Sequence, residues 1–150
     1  MGKCGEIMYK GEYNHTIDDK GRIIVPVKLR EPLGNSFVIT KGLDGCLWMF
    51  DMKQWEKVEQ EIQNMPFTLL EARKLARFIL AGAYDGEPDK QGRMLIPPAL
   101  REYAGIEKDV VLAGVGSRVE VWAKERYMAA SDFEDMNEMA EKLVELGFNL

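Results

Sequence analysis

The chain has 150 residues, 46% of them apolar and 30% charged, with a formal net charge of −5. That length suits one domain or two small ones with a sizeable core, and the composition is that of an ordinary soluble globule. No uninterrupted apolar run approaches the roughly 18 residues that a membrane-spanning helix needs.

The N-terminal "MGKCGEIMYK" has no apolar h-region, so no signal peptide is expected. Cys4 and Cys46 stand far apart without the clustered partners zinc would need, and reduced thiols in the cytoplasm are predicted. Charge is spread unevenly. Residues 127–150 hold six acids (Asp132, Glu134, Asp135, Glu138, Glu141, Glu145) against Lys142 alone, while residues 1–126 balance at 19 of each sign. A negative total therefore does not argue against a nucleic-acid partner, because local patches decide which partner is attracted.

In chain order, "YKGEYNHTID" leads in as a strand. "DDKGR" follows, with Asp18 first and Gly21 fourth, the arrangement of a type I turn with a following bulge. "RIIV" is a short apolar run read as a buried strand. Pro26 stands where a short helix would begin and Gly34 where it would end. "SFVITKG" and "CLWMF" pair as strands. Asp51 is placed to cap a helix carrying Met52, Trp55, Val58, Ile62 and Met65 on one face. Pro66 ends that helix. Thr68 with Glu71 offers a capping box for the helix in "LLEARKLARFILAGA".

The pattern then recurs. "LAGAYDGEPD" is a weaker lead-in strand, and Asp89 to Gly105 aligns without gaps on Asp18 to Gly34, 71 positions on. Gly92 matches Gly21, Arg93 matches Arg22, Pro97 matches Pro26, and "LRE" recurs whole. "RMLI" repeats the short strand, and "DVVLAGV" with "RVEVW" repeats the paired strands. Ser131 with Glu134 offers a capping box for a last helix, acidic on one face, with Phe133, Met136, Ala140 and Leu143 on the other. Two copies make an internal duplication, not a solenoid, with two related half-units packed about a pseudo-twofold axis.

Paired aspartates invite a catalytic reading, as acid–base groups or metal ligands. Yet Asp18 and Asp89 each start a turn, where aspartate accepts backbone N–H bonds, and each stands four residues before an arginine it can orient. His15, the single histidine, has no ligand-spaced neighbours and reads as a strand-face residue. Ser36, Ser117 and Ser131 lie outside any nucleophile elbow, and "GVGSR" lacks dinucleotide-binding spacing. No catalytic residue, metal site or cofactor is expected.

Arg22 and Arg93 sit at the mouths of the glycine turns, always charged and able to bond phosphate or guanine with two N–H groups. Lys20 and Lys90 stand beside them, and Lys28, Arg30 and Arg101 come from the short helices. From Lys10 to Arg30 there are five bases against three acids, a mildly positive stretch. Duplication strengthens the case, because several weak contacts acting together gain by effective concentration and add in their salt dependence. Arg73, Lys74 and Arg77 form a second basic cluster, equally read as a solvated helix face or as a partner for the acidic last helix of a neighbouring subunit.

"TIDDKGRIIVPVKLRE" and "EPDKQGRMLIPPALREYAGI" resemble the two SpoVT-AbrB-type half-units of the MraZ family. The likeness extends to "GEYNHTIDDKGR", "FVITKGLDGCLWMF" and "EARKLARFILAGA", nearly the whole chain, while "MGKCGE" precedes it without an assigned role. The resemblance implies an α+β fold, a double-split β-α-β barrel related to the swapped-hairpin barrels of AbrB and MazE. It places half-units at 9–54 and 83–126, connecting helices at 55–82 and an acidic C-terminal helix at 127–150.

It also implies a nucleoid-associated transcriptional regulator, typically a repressor, that binds double-stranded DNA. The DNA carries direct repeats in the promoter of the division and cell-wall gene cluster, and the protein binds as a homo-oligomeric ring. Asp18 and Arg22 match the first Asp-x-x-x-Arg signature of the family, and Asp89 and Arg93 the second. The arginines are then the DNA contacts, with the aspartates and with Gly21 and Gly92 shaping the turns that present them. Lys20 and Lys90 extend the set by position and charge, and Lys28, Arg30 and Arg101 more remotely. No membrane and no small-molecule substrate is expected. The rivals are an antitoxin-type protein-interaction module without DNA readout and, more distantly, a two-carboxylate metal nuclease.

Overall fold

Element order repeats once along the chain in the computed structural model, which describes residues 8–149. The first round is β1 (Tyr9–Thr16), β2 (Arg22–Ile24), α1 (Val27–Leu33), β3 (Phe37–Lys41), β4 (Leu47–Asp51), α2 (Met52–Gln63) and α3 (Leu70–Leu80). The second is β5 (Tyr84–Gly86), β6 (Arg93–Leu95), α4 (Pro98–Ala104), β7 (Asp109–Gly116), β8 (Val119–Ala123), α5 (Lys124–Ala130) and α6 (Met136–Glu145). The class is α+β, as expected. "MGKCGE" and Cys4 lie outside the described residues.

All strand pairings are antiparallel, and they interleave the two rounds. Six strands form one sheet in the order β1-β7-β8-β4-β3-β5, while β2 and β6 form a separate two-stranded ribbon. Exchanging each strand for its counterpart reverses the six-strand order and leaves it otherwise unchanged, so a pseudo-twofold passes between β8 and β4. The halves are thus intertwined and not packed side by side. β1 runs its whole length along β7, and β5 attaches to β3. β5 is the shorter edge: Pro88 follows it closely and has no N–H to donate to a ladder.

The core sits where the ribbon and the short helices face the sheet. Ile23 and Met94, Val25 and Ile96, and Leu29 and Leu100 are equivalent pairs, all essentially inaccessible to solvent. β2 and β6 are not buried throughout as expected for "RIIV" and "RMLI". Strand alternation sends Ile23 and Met94 inward while Ile24 and Leu95 face outward. α1 and α4 begin after Pro26 and Pro97 and end at Gly34 and Gly105, in the positions expected.

On the opposite face, α2 and α3 cover Val38 and Phe50 with Trp55, Ile62 and Ile79. Asp51 caps α2 by accepting the Gln54 N–H at 3.0 Å. Met52, expected on the buried face, is instead exposed. Thr40 is wholly buried and its hydroxyl donates to the Ile79 carbonyl at 2.6 Å, tying β3 to the end of α3.

Neither expected capping box forms. α3 opens at Leu69 without a side-chain cap, and the Arg73 guanidinium instead reaches back to the Phe67 and Thr68 carbonyls. Ser131 closes α5, a helix the sequence reading passed over, and α6 begins only after Asp135. Phe133 precedes α6 and is exposed, as are Met136 and Leu143 on its apolar face. α6 buries no residue.

Candidate nucleic-acid interface

Each glycine turn is built by its aspartate. Asp18 Oδ1 accepts the backbone N–H groups of Lys20 and Arg22, both at 2.9 Å, while the Gly21 N–H donates to the Asp18 carbonyl at 3.0 Å. Gly21 takes φ +81°, the left-handed region open to glycine without steric cost. Arg22 Nε then donates to Asp18 Oδ2 at 2.8 Å. The second copy repeats this, with Asp89 receiving Gln91, Arg93 and Arg93 Nε at 2.9, 2.9 and 2.8 Å.

The turns meet on the ribbon. Arg22 pairs with Leu95, Ile23 with Met94 and Ile24 with Arg93. The Gly21 carbonyl accepts from Ile96 N–H and the Gly92 carbonyl from Val25 N–H, each at 2.9 Å, so either turn is anchored by the other half's strand. Because Ile23 and Met94 point inward, Arg22, Ile24, Arg93 and Leu95 share the outward face. The aspartate oxygen receives the Nε of each guanidinium, and the side chain stays partly exposed on the ribbon. A guanidinium held at one nitrogen can still bond two acceptors at once.

Both carboxyls are held below the usual carboxylate range, first by the backbone N–H of the arginine four residues on, with the guanidinium adding to it. They stay ionised at neutral pH. Asp18 and Asp89 are both engaged within their own turns, each holding the backbone and Nε of the arginine four residues on.

The other candidate cations are placed differently. Lys20, Lys90 and Lys28 are exposed, the first two beside the turns and the third on α1. Arg30 and Arg101 are half-buried, and each reaches across to the other half's turn. A β-carbon on Gly21 would lie 2.7 Å from Arg101 Cζ, and one on Gly92 would overlap the Arg30 guanidinium. Arg73, Lys74 and Arg77 are exposed on α3, on a different element from the ribbon. His15 is half-buried on β1 opposite Val110. Ile24 and Leu95 are the residues of this face that the sequence reading missed. Their signal was present as the position two after each arginine, which alternation puts on the arginine's side.

A family model described as "MraZ protein, putative antitoxin-like" matches the chain twice, over residues 8–78 and 79–145. The transcriptional regulator MraZ of Pelotomaculum thermopropionicum is 50% identical over 148 residues, covering 95% of this chain and 100% of that protein. Its counterpart in Clostridium beijerinckii is 52% identical over 141 residues, covering 93% and 99%. That of Heliobacterium modesticaldum is 49% identical over 143 residues, covering 92% and 98%.

Proposed function

The chain belongs to the MraZ family of transcriptional regulators, which are not enzymes, and from that premise we propose that it regulates transcription by binding double-stranded DNA in a sequence-specific manner through the β2–β6 ribbon. The carrying observation is that two Asp-x-x-x-Arg turns, 71 positions apart in sequence, meet on one strand pair with identical hydrogen bonding. A two-stranded ribbon is narrow enough to enter a major groove of about 12 Å. Arg22 and Arg93 are the base or phosphate contacts, Lys20 and Lys90 add phosphate contacts at the turn tips, and Asp18 and Asp89 orient the arginines. Lys28 extends the basic margin. Arg30 and Arg101 serve first as clasps over the opposite turns.

In this proposal, residues 9–54 and 83–126 are half-units of a double-split β-α-β barrel of the AbrB and MazE kind, joined by helices at 55–82. The protein acts as a repressor on direct repeats in the promoter of the division and cell-wall gene cluster, in the cytoplasm and on the nucleoid. A homo-oligomeric ring would engage several repeats at once, turning weak individual contacts into tight and salt-sensitive binding.

Arg22→Glu tests the proposal. Arg22 is half-buried, with its side chain on the ribbon's outward face; circular dichroism should show an intact fold, while fluorescence anisotropy should show sharply reduced affinity for a promoter fragment carrying direct repeats. Unchanged affinity would remove Arg22 from the interface. A second reading, a protein-interaction module of antitoxin type, draws on the apolar side of α6, where Met136, Met139 and Leu143 are exposed among the described residues. A stoichiometric protein partner together with no DNA affinity at low salt would favour it.

A further inference from the structure

Two large aliphatic side chains stand in solvent on the face that carries the arginines. Ile24 is 47% exposed and Leu95 53%, although their strand neighbours Ile23 and Met94 are buried. Single surface aliphatics are ordinary. These two differ in being equivalent positions of the duplicated unit, related by the pseudo-twofold through the Ile23–Met94 pair. Each lies directly across the ladder from an arginine, Leu95 opposite Arg22 and Ile24 opposite Arg93, and each also lies two residues along its own strand from the other arginine. The outward face of the ribbon is therefore a two-by-two block in which every guanidinium has an aliphatic at its side.

The dimensions of that block fit base edges. Paired Cβ atoms across an antiparallel ladder are about 5 Å apart, and residues two apart on one strand about 7 Å. Base pairs stack every 3.4 Å or so, so an aliphatic lies within about two base pairs of the arginine beside it. Major-groove edges offer one apolar feature, the C5-methyl of thymine, and guanine offers the paired acceptors that suit an arginine.

We propose that Ile24 and Leu95 determine specificity by packing on thymine methyl groups next to the base pairs engaged by Arg22 and Arg93. This rests on the DNA-binding function proposed above and adds to it a chemical class of target: an A·T pair within two steps of each guanine contact. The arginines supply charge that phosphate or guanine could satisfy equally. The aliphatics have no favourable contact with phosphate, so their place beside the arginines orients the ribbon toward the groove floor. Lys20 and Lys90, at the turn tips, remain for the backbone.

The experiment uses the full chain. A duplex enriched by the protein from a random pool is synthesised twice, once with thymine and once with deoxyuridine at every thymine position, which deletes only the methyl groups. Anisotropy titrations should show the uracil duplex binding more weakly, by about three- to fourfold for each methyl engaged. Ile24→Ala/Leu95→Ala should bind the two duplexes equally, with circular dichroism confirming an intact fold. An enriched site lacking A·T pairs beside its guanines, or equal binding of both duplexes by the unaltered chain, overturns the proposal while leaving DNA binding in place. A double variant that keeps the thymine preference but changes mass in light scattering also overturns it, assigning the aliphatics to a subunit contact. No enrichment from the pool and no affinity at low salt would instead remove the DNA-binding function itself.

Discussion

The Arg101 guanidinium lies against Gly21, its Cζ 2.7 Å from where a β-carbon on that glycine would stand. Arg30 stands in the same relation to Gly92. Each half thereby closes the other half's turn, and the two arginine-bearing turns are held as one unit instead of two loose loops.

Gly21→Ala and Gly92→Ala should each destabilise the protein by at least about 1–2 kcal/mol, the cost of a left-handed conformation for a residue with a β-carbon, with the clash against Arg101 or Arg30 added to it. Gly21→Asn should cost less, because asparagine tolerates that region better. In an Arg101→Ala background the steric part of the Gly21→Ala penalty should vanish and the backbone part persist. Chemical denaturation of these variants, with Arg101→Ala as the reference for the double variant, measures this; a neutral Gly21→Ala would contradict the positive φ.

The Asp18 and Asp89 carboxyls should titrate below the ordinary aspartate value of about 3.9, as carboxyl-carbon NMR can read. A carboxyl more acidic in the fold than in the unfolded chain adds stability that is complete above the unfolded value. That stability is lost as pH falls through the lower folded value. The aspartate's hold on the arginine is therefore intact at neutral pH and should fail only in the acid range below about 4. Arg22→Gln should raise the Asp18 pKa only part of the way, because the backbone N–H of residue 22, the largest cause, remains. A full return to the ordinary value would show that the guanidinium dominates.

Local chemistry was the legible part of this fold. Asp18, Gly21, Pro26 and Gly34 each act within a few residues of themselves, so turn and helix limits could be read directly, and the second copy confirmed them. Packing between the halves was not legible: nothing near Arg101 in sequence indicates that it reaches Gly21, eighty residues away. The capping boxes failed for a related reason. Thr68–Glu71 and Ser131–Glu134 have the right spacing, but the pattern does not say where a helix starts: the Arg73 guanidinium bonds the Thr68 carbonyl, and Ser131 is the C-cap of α5. α5 itself starts straight after β8 with no cap or proline to announce it. Ile24 and Leu95 were read as core because a run of apolar residues hides its own alternation when it is only three or four long.

Cys46 should resist alkylation in the native protein. Its side chain is wholly buried, its thiol points to the Leu43 carbonyl at 3.2 Å, and burial, with Glu120 and Asp44 nearby, pushes its pKa up to about 12. Since the thiolate is the reactive form, labelling by iodoacetamide at pH 8 should be at least about a hundredfold slower than for an ordinary thiol of pKa about 8.5. Mass spectrometry of the peptide containing Cys46, with and without urea, separates the two states. Rapid native labelling would mean that the turn between β3 and β4 opens readily.

Tyr9→Phe should cost about 1–3 kcal/mol despite removing a single oxygen. The Tyr9 hydroxyl donates to Asp51 Oδ2 at 2.6 Å in a buried setting, and burial with that carboxylate drives its phenol well above the usual range, so it remains a donor. The other Asp51 oxygen caps α2. One carboxylate thus joins the edge strand β1, which pairs with the second half, to the helix that covers the first. Phenylalanine would leave Oδ2 buried without its donor, whereas Asp51→Ala would lose the cap and the bond together. Tyr9→Phe/Asp51→Ala should therefore be less destabilised than the two single variants predict by addition. Additive losses in a denaturation cycle would mean that the bond contributes nothing of its own and that Tyr9 stabilises β1 by packing alone.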